Sequence, residues 1–313
     1  SDVYKRQARQ RYVERDTVNN EERGREALDD LRKALKGRER SERSRPVLIA
    51  VAAAATLIIV VGAILFFATR DSSDDVADDA DSDEPDTSEV EPLALERDEE
   101  LPETVTCEYE DDGQEPARDV EAPNGEDVST DGKVTVTLAT NHGDIGLSLD
   151  RQLAPCATNA IEHLAKEGFY DDTVCHRMTE GTLNVLQCGD PNGAGTGGPG
   201  FKFANEYPTD EILSDEEIAN PQGANPEAQR KANSPVVYPK GTIAMANSGP
   251  TNNGSQFFLN YEDSQLPPMY TVLGTINDEG LKTLEKISDL GISGDTSDGE
   301  PAEEVRIESA TVA

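Results

Sequence analysis

The chain of 313 residues carries 63 acidic against 28 basic side chains, and the resulting formal charge of −35 argues against nucleic acid as a partner. Aromatic residues make up 5% and Trp is absent, so much of the chain lacks the bulky apolar material from which cores are built. At about 150 residues per domain the length admits one to three domains. The opening residues, Ser-Asp-Val-Tyr-Lys-Arg-Gln, fit nothing downstream and are expected to be a fragment or assembly remnant.

Segment 1–46 is basic and mixed in charge, with Arg38, Arg40, Arg43 and Arg45 crowding its end. Leu28, Leu31 and Leu35 would share one face of a marginal surface helix. Residues 47–69 carry no charge, and at a helical rise of about 1.5 Å per residue they suffice to cross a hydrocarbon core of about 30 Å. A helix apolar on every side needs lipid or protein all round, and neither flank supplies protein, so a transmembrane helix is expected. The long polar stretch in front points to an uncleaved anchor rather than a signal peptide. Basic residues concentrate before the span and nearly vanish after Arg70, which places the N-terminus in the cytoplasm and the remainder outside the cell membrane. Residues 70–130 are dominated by Asp, Glu, Ser and Pro and are expected to form a disordered, self-repelling linker.

The pattern changes at about residue 131. Val134, Val136 and Leu138 alternate with Thr135 and Thr137, and Ile145, Leu147 and Leu149 alternate with Gly146 and Ser148, with Asn141 to Asp144 supplying a turn between. That is a β-hairpin. Pro155 to Gly168 reads as a helix, with Ala157, Ala160, Ile161, Leu164 and Ala165 on one face. Short strands are predicted over 174–178, 185–188, 242–246, 256–260 and 271–275, then a second helix over 280–290 and a closing strand over 305–311. Two helices among many short antiparallel strands fit a mainly β domain, residues 131–313, built as a closed barrel with helices over its ends. An acidic, Pro- and Asn-rich insertion at 206–237 is expected to be a solvated loop.

The four cysteines, Cys107, Cys156, Cys175 and Cys188, lie in the part placed outside the membrane, where two disulfides are expected. Three pairings are open. Cys175 and Cys188 lie on strands expected to be neighbours, which favours that bridge and leaves Cys107 for Cys156; free buried thiols are the other reading. His142, His163 and His176 have no zinc-site spacing, so no metal is expected.

Residues 244–258, Ala-Met-Ala-Asn-Ser-Gly-Pro-Thr-Asn-Asn-Gly-Ser-Gln-Phe-Phe, join a strand, a turn-rich loop and a second strand. Upstream stand Cys175-His176-Arg177, then Gln187-Cys188-Gly189-Asp190 and the glycine-rich run 193–200; downstream lies Leu266-Pro-Pro-Met-Tyr270-Thr-Val-Leu-Gly274. These three motifs, in this order, resemble the signatures of the cyclophilin family of peptidyl-prolyl cis-trans isomerases, over roughly residues 133–312, and in particular its membrane-anchored actinobacterial members. The resemblance implies an eight-stranded closed antiparallel barrel capped by two helices, no cofactor, and proline-containing polypeptides, unfolded or exported, as partners of a chain expected to be monomeric. It makes Arg177 the catalytic cation, with Gln187 orienting it and Gln256 contacting the peptide. Ala246 and Asn247 would offer main-chain groups to the residues before proline, and Phe258, Leu266 and Tyr270 would wall the proline pocket.

That assignment makes chemical sense. Rotation about an X–Pro bond faces a barrier of roughly 18–20 kcal/mol because the nitrogen lone pair is delocalised into the carbonyl. A permanently charged, planar donor in an apolar groove favours the twisted amide over the planar one, and no nucleophile or metal is needed. The chain also departs from the family pattern. Gly181 to Leu186 is two residues longer than usual and lacks its aromatic, which leaves Leu183 or Val185 to stand in as pocket wall. Tyr270 replaces a frequent His, and Gln265 stands where many eukaryotic members have the Trp that contacts cyclosporin, so weak binding of that drug is expected. The altered 182–186 stretch keeps a second reading open, a tethered proline-peptide binding module without turnover.

Overall fold

The computed structural model describes residues 90–294 and 296–313. The basic segment 1–46, the apolar span 47–69 and the start of the acidic linker, 70–89, lie outside the described residues. Among the described residues no helix is long and apolar enough to cross a membrane.

The rest of the expected linker is folded, contrary to its composition. Strands β1 (Thr104–Val105) and β3 (Val128–Ser129) pair with each other, and β2 (Glu110–Asp111) lies between them in sequence. This strap is fastened by a few specific contacts rather than by a core of its own. Leu93 N–H donates to the Val237 carbonyl at 2.8 Å. The Arg97 guanidinium spans the Gln152 and Leu153 carbonyls and the Asp210 carboxylate. Cys107 is bonded to Cys156. Acidic composition correctly describes the strap's outer surface, but one disulfide and a handful of buried side chains suffice to order it.

Strands β4 (Lys133–Thr140) and β5 (Gly143–Asp150) form the expected hairpin, paired from Lys133↔Asp150 to Thr140↔Gly143. Their alternate residues Val136, Leu138, Ile145, Leu147 and Leu149 are fully buried. Helix α1 (Pro155–Lys166) follows, with Pro at its first position and no side-chain cap at Ala154. The first-turn amides of Cys156 and Ala157, which have no acceptor within the helix, donate instead to the Glu206 carboxylate at 2.9 and 2.8 Å, an acid placed where the helix dipole favours it. The single strand expected over 174–178 is two: β6 (Thr173–Val174) and β7 (Arg177–Thr179), with a corner at Cys175–His176.

Strands β8 (Val185–Cys188) and β9 (Phe201–Lys202) precede the insertion, which is not a solvated loop. It contains helices α2 (Asp215–Ala219) and α3 (Pro226–Asn233) around a small cluster of Leu213, Ile218, Ala224, Ala228 and Ala232. Ser214 and Glu217 form a reciprocal capping box, and Asn225 caps α3, so local signals carried the helices despite the polar composition. The chain closes with β10 (Val236–Tyr238), β11 (Thr242–Asn247), β12 (Asn253–Asn260), β13 (Ser264–Leu266), β14 (Val272–Ile276), helix α4 (Asp278–Ser288), β15 (Asp298–Gly299) and β16 (Arg306–Val312).

One antiparallel sheet of ten strands, ordered β15-β7-β8-β12-β11-β14-β5-β4-β16-β6, carries the domain. The eight-stranded closed barrel is thereby corrected: the ladder curls but stays open, and the β6–β7 corner links the end strand β6 to the strand next to the other end. Curling is driven by the inner face, where Met178, Leu186, Ile243, Met245, Phe257, Leu259 and Val272 are enclosed with Ile161 and Leu164 of α1. Gly274 permits one tight crossing, since a Cβ there would lie 2.0 Å from the Ser148 carbonyl oxygen.

The disulfides join Cys107 to Cys156 and Cys175 to Cys188, the favoured pairing. Thiol alkylation followed by intact-mass measurement should label none of the four cysteines until reductant is added. Replacing Cys107 and Cys156 together by Ser should lower unfolding stability by roughly 2–4 kcal/mol in a denaturant melt, because the bridge closes a long loop.

Candidate active site

Strand alternation sorts residues onto two faces. Phe257 pairs with Cys188 and points inward, whereas Phe258 pairs with Gln187, which in turn pairs with Arg177. Gln256 lies two residues before Phe258 and shares its face. The outer face of β7, β8 and β12 therefore collects Arg177, Gln187, Gln256 and Phe258 from three segments of sequence.

Their side chains form a directed relay. Arg177 Nη1 donates to Gln187 Oε1 at 3.2 Å, Gln187 Nε2 donates to Gln256 Oε1 at 2.9 Å, and Gln256 Nε2 donates to the Gly197 carbonyl at 3.0 Å. Arg177 has no acceptor to offer, so its bond dictates which way both amides face.

The other side of Arg177 meets a residue that the sequence did not mark. Asp298, on β15, accepts from Nε and Nη2 in a two-pronged pair at 2.8 Å each. Of the five N–H groups of the guanidinium, three are thus used within the protein, and two remain for a ligand. Hydrogen bonding by Asp298 raises the arginine pKa further, and Arg177 in turn lowers that of Asp298 from its ordinary 3.8. Asp298 is invisible in the sequence because it is one acid among 63 acidic residues, and its pairing spans 121 positions.

Asp298→Asn keeps the shape but loosens the fork, and should lower the kcat of any turnover at this site about 3- to 10-fold with little change in KM. The pair's pH dependence has a definite sign. A depressed carboxylate pKa means that pairing is complete above 3.8 and is lost as pH falls through the lowered value. Burial also pushes the neighbouring His176 below its usual 6.5, so it stays neutral above that point. A flat kcat/KM profile between about pH 6.5 and 9 is expected; a bell-shaped profile would mean that a titrating group takes part.

Apolar walls adjoin the relay. The Phe258 ring meets Tyr270 edge-on at 5.8 Å between centroids and Tyr238 at 6.5 Å. Leu266 and Tyr270 are half-buried against the core and keep open sides. The lengthened 181–186 stretch is held by Asn184, which bonds to Gly181 and Asp263, and by Gln265 N–H to the Thr182 carbonyl. Of its two candidate wall residues, Leu183 is half-buried while Val185 is 2% exposed, so only Leu183 retains surface for a ligand.

Ala246 and Asn247 lie where β11 leaves regular pairing. The ladder to β12 is interrupted between Met245 and Asn247, and the pairing with β14 ends at Ala244. The Asn247 side chain is spent on structure, donating to Asn205 Oδ1 and the Met269 carbonyl, so only its main chain is left for a peptide. Opposite, the glycine run wraps the enclosed Asp190 carboxylate, which accepts from the amides of Asn192, Ala194 and Thr196. Burial alone would raise the Asp190 pKa; these amide bonds outweigh it and lower it. A Cβ at Gly197 would sit 2.0 Å from Asp190 Oδ1, which explains glycine there. Among the described residues no group of three or more His, Cys, Asp or Glu side chains is arranged to hold a metal ion.

Residues 135–312, the curled sheet and its outer-face site, match the family described as cyclophilin type peptidyl-prolyl cis-trans isomerase/CLD, and the chain belongs to that family. It is 50% identical over 207 residues to the probable peptidyl-prolyl cis-trans isomerase B of Mycobacterium leprae, an alignment covering 66% of each chain. To the protein of the same description from Mycobacterium tuberculosis it is 47% identical over 207 residues, covering 66% of this chain and 63% of that one. It thus spans just under two thirds of the length of these relatives. A crystal structure of a cyclophilin type isomerase from Cryptosporidium parvum aligns with 58% of this chain and 98% of its own, at 27% identity and a TM-score of 0.43.

Proposed function

We propose that this chain is a peptidyl-prolyl cis-trans isomerase, anchored by residues 47–69 and acting as a monomer on exported or surface polypeptides outside the cytoplasm. The observation that carries the catalytic reading is the Arg177 guanidinium, fixed from two sides by Asp298 and Gln187 with two N–H groups left over, beside the Phe258–Tyr270 wall. A proline ring seated on that wall would bring its nitrogen toward the arginine. As the amide twists, its lone pair localises on nitrogen and becomes an acceptor, so the arginine binds the twisted state more strongly than the planar one. Main-chain groups at Ala246 and Asn247 would hold the preceding residues while the other side rotates. No covalent or proton-transfer step is required.

Extracytoplasmic placement is supported by the uncharged 47–69 run, the basic residues before it, and two disulfides of a kind that persist in oxidising compartments. The activity is tested by measuring cis–trans exchange of an Ala-Pro peptide by NMR, with the uncatalysed exchange time, roughly tens to hundreds of seconds, as reference. Catalysed exchange supports the enzyme; saturable binding without any enhancement would leave the tethered binding module instead. Protease shaving of intact cells tests the orientation, since a cytoplasmic catalytic domain would survive it.

A further inference from the structure

Beside the relay lies a cavity of about 580 Å³, larger than one side chain needs. Two of its walls come from the site already described: the glycine run with Gln187 and Gln256 on one side, Ala246 to Ser248 and Asn252 to Ser255 on another. Its third wall is Asp112, Gln114 and Glu115, from the strap. These three residues lie outside the 135–312 segment that matches the family, so this wall is an addition to the family domain.

The strap is set firmly at that point. Strand β2 pairs with β9 through Glu110↔Lys202 and Asp111↔Phe201. Asp112 N–H donates to the Gly200 carbonyl at 3.2 Å and Ala117 N–H to that of Gly198 at 2.8 Å. Just before β2, Tyr109 packs edge-on against Phe201 and Phe203 at 5.6 and 5.8 Å. The Asp112 carboxylate lies over the glycine run: a Cβ built on Gly198 would be 3.8 Å from Oδ2. Asp112 and Glu115 are the only charged residues in the cavity lining, which includes no Lys or Arg. Lys202, on the strand that holds the strap, is turned to Glu110 at 3.6 Å.

We infer that Asp112 and Glu115 make the strap a specificity element that selects a Lys or Arg side chain two or three residues before the substrate proline. The direction follows from continuity. The cavity shares Ala246 and Asn247 with the stretch that would hold the residues preceding proline, and it shares none of Phe258, Leu266 or Tyr270, the proline wall. A peptide whose proline meets that wall therefore runs its preceding residues toward the strap. Two carboxylates without a competing cation favour a basic side chain there and disfavour an acidic one. This selectivity presupposes the isomerase reading of the same site.

The test uses the 313-residue chain and peptides that differ only in having Lys, Ala or Glu at the second or third position before proline. At low ionic strength the Lys peptide should show about fivefold higher kcat/KM than the Glu peptide, a preference fading in molar salt. The double variant Asp112→Asn, Glu115→Gln, which retains the polar lining, should bring that ratio to about one, and Glu115→Lys alone should invert it. Removing two exposed acids outside the cavity, Glu303→Gln with Glu308→Gln, should leave the ratio unchanged, which separates the strap from the chain's overall negative field. Equal rates for Lys and Glu peptides in the unaltered chain, or a ratio that survives the strap variants, would overturn the inference. If no peptide is turned over, the isomerase reading fails, and NMR titration of the same peptides decides the strap by the same ratio in Kd.

Discussion

Arg177→Ala should reduce kcat/KM for an Ala-Pro peptide by about 10²–10³, the loss typical of removing one preorganised donor from a developing acceptor. Folding stability should hardly change, because the side chain is partly exposed and its partner Asp298 is free to hydrate. Arg177→Lys should recover little. An ammonium cannot span both Asp298 oxygens and Gln187 at once, so the amide orientations of Gln187 and Gln256 would no longer be dictated. Exchange NMR on the three proteins, with a melt to confirm that each is folded, settles the matter. Retention of most activity in Arg177→Ala would remove the arginine from the mechanism, whatever the motifs spell.

The second large effect separates two adjacent residues. Phe257 is 1% exposed and packs edge-on against Tyr170 at 5.6 Å inside the curled sheet, so Phe257→Ala should cost about 3–5 kcal/mol in a denaturant melt. Phe258 stands on the other face against Tyr270. Its replacement by Ala should cost less stability and act chiefly on KM, by stripping the wall on which proline rests. Loss of stability from Phe258→Ala equal to that from Phe257→Ala, with peptide binding intact, would reduce Phe258 to a core residue.

How far the site could be read in advance varied residue by residue. Arg177, Gln187, Gln256 and Phe258 were legible because each sits in a run whose order and spacing resemble a known family, and strands impose a period of two that sends Phe257 and Phe258 to opposite faces. Leu183 and Val185 could not be ranked beforehand, since only the packing of the 181–186 stretch encloses one and leaves the other partly open. The helices at 215–219 and 226–233 carried readable caps, Ser214 with Glu217 and Asn225, but these were hidden in a segment whose polarity resembles that of a loop. The strap was misjudged for a similar reason: composition averages over a segment, whereas Cys107, Tyr109 and Arg97 order it through single contacts with residues about 47 to 113 positions away.

By itself the sequence determined the alternation of the strands, the start of the first long helix and which residues would share an outer face, all consequences of short-range periodicity or of marked motifs, while it left the cysteine pairing as one favoured choice among three. Tertiary structure alone decided that the sheet curls without closing its ladder, that Asp298, distant in sequence, arrives on the edge strand paired with β7 to grip Arg177, and that the acidic strap becomes a wall of the cavity beside Gln187 and Gln256. The reason is physical. An acidic side chain in so acidic a chain carries no local signal of its partner, and what it does depends on the distant charge or groove that folding brings beside it.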